Sequence, residues 1–336
     1  MPIYELLISG IVAFLVTLLF TPRWISHAKK RKLMGKDMNK KDKPKVAEAG
    51  GVMVFLGFII GLLVLFGFYY FQQRFERLVY IALAITSLSI VTGIAFWDDI
   101  TGWKKGIARW KKPILTFIGA IPLIPLLLNR TTISILDYVI ELPLFFYPLI
   151  MVPIGFIAAT NAVNLLGGFN GLETGLGIIC SLTLLWFTYG TAFFPIVLIA
   201  VAAMLAFLYF NRYPSRIFPG DALTYFLGCL FAFVAVLGYF QTILILIMLP
   251  YILEGIIKAR EIPYIIKHKK TFKPECFGKV RKEGDLDPPY KEIWSLTHVA
   301  IKIIKRIKGR CYENDVTFLI IGLQALWCLL LIQMLG

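Results

Sequence analysis

Charge is scarce in this chain. Only 16% of its 336 residues are Asp, Glu, Lys or Arg, while 58% are hydrophobic; a soluble domain carries roughly 25% charged residues. That deficit excludes a soluble enzyme and a disordered chain. Histidine is nearly absent, with three residues, and the five cysteines (Cys180, Cys229, Cys276, Cys311 and Cys328) fall at no paired spacing. Neither a disulfide framework nor a zinc site is indicated. Acids are outnumbered, 20 against 35 basic residues, for a net charge of +15. No internal repeat, low-complexity segment, Walker-type phosphate loop or nucleophile elbow is present. The first apolar run begins at Ile3 with no basic segment before it, and reads as a retained span rather than a cleaved signal.

What the chain has in quantity is apolar runs of bilayer length. They fall near 3–22, 50–71, 78–96, 113–128, 142–163, 171–190, 192–210, 221–238, 241–260 and 316–335. The expected fold is an all-α integral membrane protein of about ten transmembrane helices, a single polytopic domain over 1–336. The fourth run holds Pro113, Pro122 and Pro125, so a kinked or partly re-entrant segment is expected there. Ten crossings put both termini on one side and sort the loops into two sets. Every Lys and Arg except Arg74, Arg77 and Arg130 falls in the set 23–49, 97–112, 164–170, 211–220 and 258–315. The excess of positive charge on cytoplasmic loops then makes this set cytoplasmic and both termini non-cytoplasmic. The basic excess is thereby assigned to topology and to membrane lipids, with no nucleic-acid partner.

The span interiors are almost free of charge, Glu254 being the main exception, which argues against a transporter with midplane ionisable groups. Chemistry is expected at the cytoplasmic interface. The last cytoplasmic loop, about 261–313, carries an amphipathic stretch near 291–310. Ile293, Leu296, Ala300, Ile303, Ile304 and Ile307 are assigned to one face, flanked by Lys302, Lys305, Arg306 and Lys308. The pattern suits a helix lying in an anionic headgroup layer, against the alternative of packing on the loop's own core.

Five constellations stand out. Asp98-Asp99 ends the third span. Two acids there can be a solvated helix end, but Lys104, Lys105, Arg109, Lys111 and Lys112 follow, cations suited to phosphate beside acids suited to a metal. Asn161 and Asn164, at i and i+3, share a helix face, and Asn170, Gly171 and Glu173 follow them. A polar turn explains Asn170-Gly171 but not an amide pair in the last turn of an apolar span, where unpaired amides are costly. Asp221, in Phe218-Pro219-Gly220-Asp221, reads either as the N-cap of the eighth span or as a metal ligand. Lys267-His268-Lys269-Lys270 reads as a solvated or lipid-facing run, or as a diphosphate clamp. Gly35-Lys36-Asp37-Met38-Asn39-Lys40, followed by Glu48-Ala49-Gly50-Gly51, reads by itself as a basic loop with a turn.

Taken together these features resemble the polyprenyl-phosphate N-acetylhexosamine-1-phosphate transferase family over nearly the whole chain. Residues 161–173, Asn-Ala-Val-Asn-Leu-Leu-Gly-Gly-Phe-Asn-Gly-Leu-Glu, are similar to the Asn-Ala-x-Asn-x-x-x-Gly-x-Asn-Gly-Leu-Glu segment of its dolichyl-phosphate branch. Residues 213–221, Tyr-Pro-Ser-Arg-Ile-Phe-Pro-Gly-Asp, resemble that branch's Tyr-Pro-Ser-x-x-Phe-x-Gly-Asp. Residues 35–40 resemble its Gly-x-Asp-x-Asn-Lys loop, with Lys36 where Gln is usual. Lys267-His268-Lys269 is matched to its Arg-His-Arg.

The resemblance implies a reaction: a dolichyl-type polyprenyl phosphate attacks the β-phosphorus of UDP-N-acetylglucosamine, UMP leaves, and a sugar-diphospho-lipid forms, the first step of lipid-linked oligosaccharide assembly for N-glycosylation. It implies Mg²⁺, with Mn²⁺ as a substitute, held by Asn164 and Asp221. It implies Asp98, Asp99 and Lys112 as the catalytic group, with Lys112 facing the lipid phosphate. Asp37, Met38, Glu48, Asn161, Asn170 and Phe218 are carried over as substrate contacts, with Phe218 on the uracil, and Lys267, His268 and Lys269 as holding the diphosphate or sugar. The implied setting is the cell membrane for an archaeal chain or the endoplasmic reticulum membrane for a eukaryotic one, with a homodimer allowed. The alternatives are a bacterial-type transferase using undecaprenyl phosphate and a multi-spanning transporter of lipid-linked sugars.

Overall fold

A computed structural model describes residues 2–101, 107, 111–135, 138–268 and 274–336, with the backbone alone at 113 and 265–268. The described chain is mainly helical, with three short antiparallel hairpins.

Helices α1 (Ile3–Arg31), α2 (Gly51–Phe71) and α3 (Phe75–Thr101) open the bundle. α1 runs on past Pro22 and ends at Lys32 in the left-handed region, with Lys29, Lys30 and Arg31 in its last turn, where cations complement the helix dipole. α2 lies close on α1 through Gly57, where a Cβ would sit 2.1 Å from Thr17 Oγ1. Between them, β1 (Met34–Lys36) pairs with β2 (Lys45–Ala47). The fourth apolar run is helical but irregular: α4 (Lys111–Thr116), a 3₁₀ stretch over Phe117–Leu123, then α5 (Ile124–Leu127). Pro122 and Pro125 supply no amide hydrogens to continue an α-helix. A hairpin of β3 (Thr132–Ile135) and β4 (Tyr138–Glu141) follows, then a π-turn at Tyr147–Met151 leading into α6 (Val152–Val163).

Helices α7 (Leu172–Phe187), α8 (Phe194–Asn211) and α9 (Gly220–Gly238) complete the core. Every residue of α9 from Ala222 to Leu237 is buried, so α9 is the axis of the bundle, with α2, α3 and α6 against it. Helix α10 (Gln241–Ile247) turns by 63° into the helix beginning at Leu249, here α11 (Leu249–Ala259) and α12 (Glu261–His268). Pro250 sits just after the break. The hairpin β5 (Lys279–Val280) and β6 (Leu286–Asp287) precedes α13 (Leu296–Lys308), and α14 (Glu313–Leu335) ends the chain.

Six of these helices, α1, α2, α3, α8, α9 and α14, are long and apolar enough to cross a membrane. The other four expected spans fall on the bent α10–α11 pair and on shorter apolar helices at 114–127, 147–163 and 172–187.

The helix expected near 291–310 is shorter, and its buried edge is offset from the middle of the apolar stripe. Ser295 caps it, its side chain accepting from the Thr297 amide, and Gly309 ends it at φ 75°. Ala300, Ile301 and Ile304 are buried, whereas Ile303 is 41% and Ile307 77% exposed. The apolar residues assigned to this helix share a stripe about 100° wide, and only one edge of it is turned inward. Packing on the protein's own core takes Ile304, and Ile303 and Ile307 lie outside it.

Candidate functional site

The ends of α3, α6 and α11 and the starts of α2, α4 and α9 meet at one end of the bundle. Backbone pairing brings the first of them together. Ala47 bridges Ile217 in parallel, the Phe218 amide donates to Ala47 O at 2.7 Å, and the Gly50 and Gly51 amides donate to Phe218 O and Pro219 O at 2.9 and 2.7 Å. Gly51 is required there: a Cβ would lie 2.2 Å from the Leu223 nitrogen. Glu48 is thereby set beside the Phe218–Asp221 turn.

The first amides of a helix have no partner within it. In α9 they are met by Asp99, whose Oδ1 and Oδ2 accept from the Asp221 and Ala222 amides at 2.9 and 3.0 Å. Gly220, at φ +69°, leaves room for that carboxylate; a Cβ would stand 2.4 Å from Asp99 Oδ2. Asp99 therefore occupies the capping role that Asp221 was a candidate for, and the Asp221 side chain is turned to Lys112. The Lys112 ammonium lies 2.5 Å from Asp221 Oδ2 and 2.6 Å from Asp98 Oδ2. Burial would lower its pKa, but the Asp221 charge and the hydrogen bonds to Asp221 and Asp98 raise it above the ordinary lysine value. Burial first and the Asp221 charge second push the Glu48 carboxyl up.

The two asparagines of α6 face α9. Thr224 Oγ1 donates to Asn164 Oδ1 at 2.8 Å, and the Tyr225 hydroxyl donates to Asn161 Oδ1 at 3.2 Å. A cavity of about 360 Å³ opens beside them. Of the expected residues, Asp37, Met38, Glu48, Asn164, Phe218 and Asp221 line it. Asp98, Asp99 and Lys112 are not part of its lining and connect to it through Asp221. Asn161 lies on the same face one turn away.

Asn170 differs from expectation. It is buried, its Oδ1 accepts from the Ser215 amide (2.6 Å) and Lys40 Nζ (3.0 Å), and its Nδ2 donates to Asp37 Oδ2 (3.2 Å). Its own amide donates to Glu313 Oε1 at 2.9 Å. With its amide group engaged on both sides, Asn170 stands behind the cavity wall and holds Asp37, instead of lining the cavity itself.

The side chains of the basic run lie outside the described residues. Lys267 and His268 end α12 with only their backbone described, and Lys269 lies outside the described residues. Among the described residues, the last loop brings Cys276 and Phe277 to the cavity. Several contacts hold that segment, among them the Glu275 amide donating to the Tyr290 hydroxyl at 3.3 Å. Thr297 Oγ1 donates to Cys276 O at 2.6 Å, His298 Nε2 meets Glu275 O at 3.0 Å, and Asn39 bridges Gly168 O (2.8 Å) and the Gly278 amide (3.1 Å). His298 Nδ1 faces the Trp294 amide at 3.3 Å and accepts from it, so the proton is on Nε2. Burial lowers this histidine to a pKa of about 4. Lys36, Glu173, Thr224 and Lys258 also line the cavity and were not anticipated. Phe277 had one indirect signal: the Gly167-Gly168 pair. Gly168 has φ +89°, and a Cβ there would lie 2.8 Å from Cys276 Sγ and from the Phe277 ring.

Carboxylates and amides thus meet around a cavity at one end of an apolar helical bundle, with the lysine that bridges Asp98 and Asp221 at its edge, and comparison with known proteins gives the class. The chain belongs to glycosyl transferase family 4, whose description matches residues 78–239. It is 32% identical, over 98% of its length and 97% of the relative's, to a protein of Saccharolobus solfataricus provisionally named UDP-N-acetylglucosamine–dolichyl-phosphate N-acetylglucosaminephosphotransferase. A Sulfolobus acidocaldarius protein of the same provisional name is 34% identical over 97% of this chain and 94% of its own. The Dictyostelium discoideum protein bearing that name outright is 27% identical over 81% of this chain and 77% of its own.

Proposed function

We propose that this protein transfers N-acetylglucosamine 1-phosphate from UDP-N-acetylglucosamine to a dolichyl-type polyprenyl phosphate in the cell membrane, as the names of its archaeal relatives suggest. The observation that carries the reading is Lys112 held between Asp98 and Asp221 at the edge of a cavity that also presents Asn164, Phe218, Glu48 and Asp37.

An acceptor phosphate oxygen forms a bond to the β-phosphorus, the bond from that phosphorus to the oxygen bridging the α-phosphate breaks, and the electron pair leaves with UMP. Phosphoryl transfer of this kind needs positioning and charge neutralisation more than covalent help from the protein. The acceptor phosphomonoester, with a second pKa near ~6, is already largely dianionic at pH 7, so no strong general base is required. Lys112 is the cation for the acceptor phosphate, with Asp98 fixing its tip. Asp99 holds the first turn of α9 and with it Asp221. Phe218 offers a ring to the uracil.

The fit to Mg²⁺ rests on the donors. Asp221 and Asn164 give hard oxygens to one cavity, and Glu48 lines the same cavity. No group of three or more His, Cys, Asp or Glu suited to a metal occurs among the described residues, so waters and substrate oxygens would have to complete the shell of any ion held there. Asp221 and Asn164 would hold the ion, which would neutralise the diphosphate.

This end of the bundle faces the cytoplasm and ten segments cross the membrane, on the distribution of Lys and Arg. The test is a purified protein in detergent given radiolabelled UDP-N-acetylglucosamine and a polyprenyl phosphate. Equimolar UMP and an organic-extractable labelled lipid are expected; lipid-independent release of label, or no UMP, removes the reading.

A further inference from the structure

The cavity has an excess of acid: Asp37, Glu48, Glu173 and Asp221 line it against two lysines, Lys36 and Lys258. Lys36 is exposed, on a strand of three residues. Lys258 is different. It sits in the last turn of α11, half-buried, and its ammonium donates to Leu165 O at 2.5 Å and lies 3.2 Å from Glu254 Oε1. Leu165 follows Asn164 directly, so the ammonium is beside the amide that faces the cavity. An ammonium has three protons; the Leu165 carbonyl takes one, and Glu254 faces the ammonium as an ion pair.

Glu254 is fully buried, and more than an ion-pair partner. Its Oε2 accepts from the Leu296 amide at 2.7 Å and from Ser295 Oγ at 3.2 Å, which fastens it to the start of α13. A buried carboxylate clamped at its far oxygen fixes the lysine it faces.

We infer that Lys258 is a second cation for the diphosphate of the sugar nucleotide, positioned by Glu254. The assignment rests on the reading of the cavity as a sugar-nucleotide site. Two phosphates in an acid-rich cavity need more positive charge than a divalent ion shared with Asp221 supplies, and Lys258 is the half-buried, pre-positioned lysine that lines the wall.

Calorimetric titration of UDP into the purified protein, at fixed Mg²⁺, reads this without the lipid acceptor. Lys258→Gln should weaken UDP binding by about tenfold or more, the scale of a charge-assisted hydrogen bond. Lys258→Arg should recover most of it. Glu254→Gln keeps the cation but loosens it, and should weaken UDP by only about two- to threefold. Thermal melting of each variant identifies any that fail to fold. A lysine that merely staples α11 to α6 gives another pattern: Glu254→Gln and Lys258→Gln lose UDP affinity together, in step with their loss of melting temperature. That pattern, or unchanged UDP affinity in a folded Lys258→Gln, overturns the assignment. Absence of UDP binding by the unaltered protein overturns the sugar-nucleotide reading instead.

Discussion

Asp99 grips Asp221 by the backbone: its Oδ1 lies 2.9 Å from the Asp221 amide nitrogen, although the two residues stand 122 positions apart. Asp98, its neighbour, spends its Oδ2 on the Lys112 ammonium at 2.6 Å. Two adjacent acids thus have separate work, one structural for α9 and one for the lysine.

That division predicts different failures. Asp99→Asn replaces one accepting oxygen with an NH₂ that faces an amide donor, so it should lower the melting temperature as well as turnover. Asp98→Asn should cut turnover with a smaller change in melting. Loss of a helix cap costs about 1 kcal/mol, enough to read in a detergent melt. Equal melting of the two variants would contradict the assignment.

Lys112→Ala removes the cation proposed to face the lipid phosphate and leaves Asp98 and Asp221 facing each other. Turnover should fall by about a hundredfold, the scale for losing one positioned donor in a transition state. Binding of UDP-N-acetylglucosamine should change much less. The exposed neighbour Lys111 should tolerate Ala within a few fold. Similar losses at both would reduce Lys112 to one charge in a diffuse field.

Activity should require Mg²⁺ or Mn²⁺ and vanish with a chelator. Asp221→Asn keeps size and removes charge, so turnover should drop by about a hundredfold or more. Asp99 already meets the first α9 amides, so the fold should persist. Near-normal turnover of purified Asp221→Asn would sink the metal assignment.

His298 provides a pH test. Its pKa is lowered from 6.5 to about 4 by burial. The neutral ring therefore contributes stability that is complete above about pH 6.5 and lost as pH falls through 4. The melting temperature should decline across that window. His298→Gln should melt lower at neutral pH and show a flatter decline, and a slope unchanged by the substitution would show that other groups set it. Because His298 ties down Glu275, next to Cys276 and Phe277, sugar-nucleotide binding by the folded protein should weaken only as pH falls toward 4, where the folded-state ring takes up its proton.

Single cysteines placed in the 37–45 loop of a cysteine-free variant should resist an impermeant reagent added from outside, and cysteines at 129–131 should react. The reverse pattern would invert the topology and put the cavity on the wrong side for a cytoplasmic nucleotide.

Sequence patterns reached the helices because hydropathy is local: an apolar run of twenty residues shows itself wherever its partners lie. They reached Asp221 and Asn164 because a carboxylate and an amide at the ends of apolar runs are conspicuous. The contact between their helices, from Thr224 to Asn164, was invisible, since sixty positions separate donor and acceptor. The pairing of Ala47 with Ile217 left no trace either, because backbone hydrogen bonds do not depend on side-chain type. Lys258 was hidden at the edge of an apolar run, where a basic residue reads as a span boundary. In residues 291–310 the apolar stripe was legible, but which of its edges packs on the protein was not, because that depends on distant partners such as Glu254, which meets Ser295 and Leu296.

The clamp on Glu254 has a consequence for how the chain is made. Lys258 is one helical turn away, so the two charges can neutralise each other as soon as α11 winds. Ser295 and Leu296, 41 and 42 residues further on, emerge from the ribosome later. The acid can therefore enter the bundle as half of a neutral pair, and the start of α13 then docks onto a carboxylate already in place. Synthesis from the N-terminus delivers its partners in the order in which they are needed.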